Sequence, residues 1–184
     1  MLPDGCVCFL INLDRSPQRL QTMVSRLATL GVEYVRVAGV DGAQLADDEF
    51  RQHTRENRYY KPIRRGEVGC YLSHLKTLQA FLDSDARFAL ILEDDCQFSP
   101  DFLAALQSAL ALRETTHDAL LRWDVLKLNG KRRRLVALAA LTENTRLVEY
   151  GLSVPITTAA AVWTRDAAQR FLRAYRGTAR PIDC

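Results

Sequence analysis

No stretch of this sequence is long and apolar enough to span a bilayer: the longest such run, Leu135 to Leu141, falls far short of the ~18 residues a crossing helix needs. The opening MLPDGCVCFLINL has neither a basic leader nor a small-residue cleavage site, so no secretory signal is expected. Five cysteines, at 6, 8, 70, 96 and 184, are an odd number at spacings that fit neither a zinc site nor a disulfide framework. A reducing, cytoplasmic compartment is the simpler expectation. Charge is nearly balanced, with a formal net +3, and the one basic block, Lys131 to Arg134, has no aromatic platform or nucleic-acid motif beside it. Nucleic-acid binding is not expected; the block reads as a solvated loop, with peripheral contact to an anionic membrane as the other reading. The first strand-like segment runs into NLDRSPQR with no G-x-G-x-x-G, which argues against NAD. It also lacks a D-x-D nucleophile segment, and no H-x-H set accompanies the acids further on, which argues against a metal-dependent phosphohydrolase.

What is present is an ordinary globular composition, 48% hydrophobic and 26% charged over 184 residues, enough for one domain with a real core. CVCFLINL (6 to 13) reads as a strand, and Ser16-Pro17 as a helix N-cap and first turn. Leu20, Met23, Val24, Leu27 and Leu30 then recur at helical spacing up to Gly31, a natural stop, before VEYVRVA (32 to 38) offers a second strand. Residues 46 to 54 suggest a short polar helix. From Gly66, Val68, Tyr71, Leu72, Leu75, Leu78 and Leu82 line one helical face, followed by a strand at FALILE and a helix expected from Ser99-Pro100 to about Leu112. WDVLKLNG, TRLVEY and PITTAAAVW predict further strands, and Thr164 opens a last amphipathic helix towards Gly177. Alternating strands and helices predict an α/β sandwich with a mainly parallel sheet.

The informative feature is LILEDDCQF, where three acids directly follow an apolar strand. In such sheets ligands bind beyond the carboxyl ends of strands, and Glu93, Asp94 and Asp95 stand at one. If the backbone stays extended, Glu93 and Asp95 share a side and Asp94 faces the other. Paired carboxylates repel unless a cation neutralises them, and oxygen ligands of this type suit Mg²⁺ or Mn²⁺. The bland reading is an acidic loop capping the next helix.

A second candidate lies at RRGEVGCYLSHLK, where Arg64 and Arg65 lead into a helix whose unpaired N–H groups and dipole attract anions. Ser73, His74 and Lys76 add donors nearby. At the first strand end, Asn12, Asp14, Arg15 and Arg19 are candidate nucleotide contacts, against ordinary loop polarity.

Taken in order, INLDRSPQR, VAGVDG, RRGEVGCYLSHLKTLQ, FALILEDDCQF, WDVLKLNG and the closing RPID resemble glycosyltransferase family 25, over nearly the whole chain. That family includes bacterial lipooligosaccharide galactosyltransferases and related collagen galactosyltransferases. The resemblance implies a GT-A-like nucleotide-sugar-binding fold in one domain over residues 1–184. It also implies a UDP-sugar donor, most often UDP-galactose, and inverting transfer to a saccharide or glycolipid acceptor such as the lipooligosaccharide core. Carried over by motif, Glu93 and Asp95 take the place of the family's divalent-metal acids, with Asp94 beside them. Asn12, Arg15 and Arg19 lie in its first nucleotide-side segment, and Glu67, Gly69, Ser73 and His74 in its second. Family members usually continue past RPID, so the stop at Cys184 raises the expectation of a truncated domain.

These expectations describe a cytoplasmic enzyme, peripheral at the inner membrane, in which an ion bridges Asp95 and the donor diphosphate while Arg64 or Arg65 and the helix beginning near Gly66 share its charge. Glu93, Asp94 and Asp183 are candidates for the base that deprotonates the acceptor. The alternative is a domain that binds the donor without turnover.

Overall fold

The computed structural model describes residues 1–55, 57–58, 60–128, 135–150 and 158–175. Strand β1 (Cys6–Asn12) leads into helix α1 (Pro17–Thr29), then β2 (Val35–Ala38), a single 3₁₀ turn at Gly42–Gln44, α2 (Asp47–Thr54) and α3 (Arg65–Leu82). After β3 (Phe88–Glu93) come α4 (Phe102–Thr115), β4 (Val125–Lys127), β5 (Leu135–Ala140), β6 (Arg146–Tyr150), β7 (Ala160–Thr164) and α5 (Arg165–Ala174). The main sheet has the order β2-β1-β3-β7-β4. β1 is parallel to β2 and β3, β7 is antiparallel to both β3 and β4, and so β7 alone opposes the other four. The sheet is mainly parallel, as the alternation of elements predicts.

Helices cover both faces of the central strands because β1 and β3 are apolar at every position before their closing Asn12 and Glu93. On β1, Cys8 and Leu10 join Leu90 and Leu92 of β3 against Met23 and Leu27 of α1 and Leu106 and Leu110 of α4. Phe9 and Ile11, one residue out of phase, join Ala89 and Ile91 against Leu78 and Phe81 of α3 and Ala168 of α5. The two-residue period of a strand thus divides one apolar run between two cores. A third, smaller cluster of Leu45, Ile63 and Val68 pins the segment around α2 to the start of α3.

The ends of α1 follow their chemistry. Pro17 occupies the first turn, where its missing N–H costs nothing, although Ser16 makes no side-chain capping bond. Gly31, at φ +63, closes the helix as a Schellman motif, its N–H reaching Ala28 O at 3.0 Å and that of Val32 reaching Leu27 O at 3.0 Å. Thr164 caps α5 as expected, accepting from the Ala167 N–H at 3.2 Å.

The expectation for α4 needs correction. The helix begins at Phe102 with Asp101 at its N-cap, and the Ser99 hydroxyl donates to Asp101 Oδ1 at 2.7 Å instead of capping the helix. Asp101 is itself drawn outwards, accepting from Thr142 and Thr145 of the turn that joins β5 to β6. Leu135–Ala140, which sequence reading used only to exclude a membrane span, is a strand paired antiparallel with β6. The basic block at 131–134, the segment 151–157 and the RPID end with Asp183 lie outside the described residues. Among the described residues no helix is long and apolar enough to cross a membrane.

Candidate functional site

The carboxyl ends of β1 and β3, the Val40–Gly42 turn after β2 and the first half of α3 enclose a cleft of about 250 Å³. Close approach of backbone to backbone forms one wall. A Cβ on Gly69 would lie 2.6 Å from both Gly42 N and Val40 O, and one on Gly42 would lie 1.9 Å from Arg65 O. Glycine is required at both positions for α3 to seat against the turn. Ser73, buried at 3% exposure, locks the contact by accepting from the Val40 N–H at 2.8 Å and donating to Gly69 O at 2.7 Å.

Glu93 ends β3 and faces α3. Its Oε1 accepts from His74 Nε2 at 3.0 Å, from the Thr158 hydroxyl at 2.5 Å and from the Cys70 thiol at 3.6 Å. Burial alone would raise its pKa, but the bonds from His74 and Thr158, the charge interaction with His74 and the weaker Cys70 contact together hold it below the ordinary carboxylate value. A carboxylate can only accept, so the Nε2 of His74 carries the proton in this bond.

Asp94 and Asp95 part company with Glu93. The strand ends at Glu93 and the next two residues form a turn, with Cys96 N–H bonded to Glu93 O at 3.4 Å. The extended alternation expected from the sequence therefore stops one residue too early to align Glu93 with Asp95. Instead Arg19 Nη2 bridges Asp94 Oδ1 at 2.6 Å and Asp95 Oδ2 at 3.0 Å, while Asn12 Nδ2 donates to Asp94 Oδ2 at 2.7 Å. Asp94 is nearly enclosed, with 9% of its side chain exposed, against 59% for Asp95 and 51% for Arg19. Two acids thus converge on one cation at the open rim of the cleft.

The remaining candidates separate by what they touch. Arg15 pairs with Asp41 at 2.7 Å across the cleft mouth, and both line it. Glu67 caps α3, accepting from the Arg64 N–H at 2.6 Å. Arg65 bonds Leu45 O and Asp47 and lies over the Phe50 ring at 4.8 Å. It ties α2 to α3, while Gly66 at the helix start lines the cleft. Lys76 donates to Ala38 O at 3.0 Å. Asp183 lies outside the described residues.

Sequence reading missed three contributors. Arg36 of β2 donates to Asn12 Oδ1 at 3.0 Å and to Asp14 Oδ1 at 2.5 Å, fixing the first strand end. Thr158 reaches Glu93 across 65 residues of chain, a contact no local pattern carries. Cys70 was legible in principle, because it stands one helical turn before His74 on the same face.

The sequence profile described as Glycosyltransferase family 25 (LPS biosynthesis protein) matches residues 6–184. A glycosyltransferase 25 family member of Aedes aegypti is 35% identical over 101 residues, 51% of this chain and 17% of the relative. Procollagen galactosyltransferase 2 of Mus musculus is 30% identical over 131 residues, 67% of this chain and 20% of the relative. A family member of Anopheles gambiae is 28% identical over 172 residues, 90% of this chain and 28% of the relative. The chain therefore spans less than a third of the length of these relatives. The profile match extends through every element that builds the cleft, from β1 to the end of α5, and on that ground the chain belongs to glycosyltransferase family 25.

Proposed function

We propose that the cleft binds the diphosphate of a UDP-sugar, with galactose as the transferred sugar, and that the chain transfers it with inversion to a saccharide acceptor such as a lipooligosaccharide core. The observation that carries this reading is the convergence of Asp94 and Asp95 on a single exposed guanidinium at the tip of β3. Those oxygens already balance a positive charge, and the partly exposed rim suits an ion that keeps ligand positions for water and phosphate. The residues fit Mg²⁺ or Mn²⁺, held by Asp95 with Asp94; Glu93, engaged by three donors, is less suited than the motif alone implies. When bound, such an ion offsets charge on the departing diphosphate.

The chain's own groups define the rest. Arg15 and Arg19, both more than half exposed, can turn from their carboxylate partners to phosphate oxygens. The amino end of α3 at Gly66 presents backbone N–H groups to the same space. Among the base candidates Asp94 is placed with the ion in this reading, which leaves Glu93, kept ionised by His74 and Thr158, and Asp183.

Calorimetric titration of UDP with and without Mn²⁺, alongside turnover of UDP-galactose, tests the proposal. Asp95→Asn should reduce Mn²⁺-dependent UDP affinity by at least about tenfold with little change in melting temperature, since its carboxylate is exposed. Loss of fold with UDP affinity retained would return the acids to a capping role. Metal-dependent binding without sugar transfer would identify a donor-binding module.

A further inference from the structure

Cys70, His74 and Glu93 form a cluster whose thiol the transfer reaction leaves unexplained. Their ligand atoms, one thiol sulfur, one imidazole nitrogen and one carboxylate oxygen, all lie within 4.8 Å of one another. The carboxylate oxygen is 3.6 Å from the sulfur and 3.0 Å from the nitrogen. A tetrahedral zinc ion with bonds of about 2.0–2.3 Å requires its ligand atoms to stand about 3.3–3.6 Å apart, so the two separations from the carboxylate oxygen need only small shifts, and the sulfur and nitrogen need to close by at most about 1.5 Å.

We propose that Cys70, His74 and Glu93 bind a thiophilic divalent ion of the Zn²⁺ type, at a site chemically distinct from the oxygen pair Asp94 and Asp95. Three features carry this. Cys70 and His74 stand four residues apart on α3 and are aimed from one helix face at the end of β3, so two rigid elements set the geometry. One thiolate and one carboxylate balance a divalent charge, which makes the complex neutral and lets it occupy a place where His74 is only 3% exposed. All three residues line the cleft, so the fourth position opens towards it, as in zinc sites that keep a water or substrate place. The sulfur and nitrogen favour zinc over the magnesium or manganese suited to the acid pair.

Binding is balanced by proton movement. The Cys70 S–H bond breaks and its proton goes to solvent; the Nε2 hydrogen that His74 now gives to Glu93 is exchanged for one on Nδ1, leaving Nε2 to donate its electron pair to the ion. Glu93 is already ionised and releases nothing. The Thr158 hydroxyl, 3.6 Å from the Cys70 sulfur, borders the same space. The proposal is tested separately from the transferase reading, because it concerns only whether these three side chains take up a metal; an ion bound here would leave Asp183, not Glu93, as the base candidate.

The test is titration of the full chain with Co²⁺ as a spectroscopic stand-in, followed by competition with Zn²⁺. We expect a sulfur-to-cobalt charge-transfer band that saturates at one ion per chain, is erased by Zn²⁺ and persists in Asp95→Asn. Cys70→Ser should abolish the band, and His74→Gln should weaken Co²⁺ affinity more than about tenfold, the lower bound seen even for residues that only support a ligand. Absence of the band in the unaltered protein, or its survival in Cys70→Ser, overturns the proposal. If Cys70→Ser does not fold, unchanged Co²⁺ affinity in His74→Gln overturns it equally, and the expected loss there supports it.

Discussion

Gly69 illustrates how a residue in a ligand-binding segment can serve it without touching the ligand. Its motif position suggested a nucleotide contact, but its place in the fold demands the absence of a side chain, because the atoms a Cβ would meet are the Gly42 N and Val40 O of an adjoining backbone. Backbone cannot rotate away as a side chain can. Gly69→Ala should therefore cost about 1–3 kcal/mol in urea denaturation, the usual penalty of overpacking, and shift the Val40–Gly42 wall of the cleft. A loss below about 0.5 kcal/mol would show that α3 can retreat freely. His74 is held differently: truncation of this buried ring to Ala removes one donor from partly buried Glu93, and a cost of about 1–3 kcal/mol is expected by the same measurement. Full stability in His74→Ala would mean that Thr158 and Cys70 alone satisfy the carboxylate.

At the scale of elements, the β5–β6 hairpin is fastened to the start of α4 by one side chain. Asp101 accepts from the hydroxyls of Thr142, Thr145 and Ser99, and these bonds lower its pKa from the ordinary 3.8 to about 2. A folded pKa below the unfolded one means that the tether contributes fully above pH 3.8 and is lost as pH falls through about 2. Replacing Thr142 and Thr145 together by Val should return the Asp101 carboxyl, followed by ¹³C NMR titration, towards 3.8. A value still near 2 would assign the shift to Ser99 or to the helix start. The same exchange explains why α4 starts late: the capping aspartate is spent on the hairpin, and Ser99 on the aspartate.

For the whole molecule, the decisive feature is a sheet buried on both sides. Leu90 on β3 is fully buried against α1 and α4, and its truncation to Ala should cost about 2–5 kcal/mol in denaturant unfolding. Burial also governs the thiols packed in the core. It raises Cys6 to about 11 and, with the neighbouring carboxylates adding to it, Cys96 to about 12, while Cys8 rises further still. Thiolate is the reactive form, so these three cysteines should resist alkylation at pH 8 until the protein unfolds. Rapid labelling of Cys8 in the folded state, read by peptide mass mapping, would contradict the two-sided core.

The sequence by itself determined most of the elements, β5 and the start of α4 excepted, because helix and strand periods are local properties of the chain. Pro17 and Gly31 bounded α1, the apolar spacing from Val68 to Leu82 placed α3, and FALILE followed by three acids located a charged strand end. Only the tertiary structure decided which charges meet. Arg19 joins Asp94 and Asp95, and Thr158 joins Glu93, across separations that depend on sheet order and loop closure, neither of which leaves a periodic trace. Nor could periodicity say where β3 stops. One residue of strand, more or less, reverses the side on which an acid emerges, and hydrogen bonding at the turn settles that choice after the chain has folded.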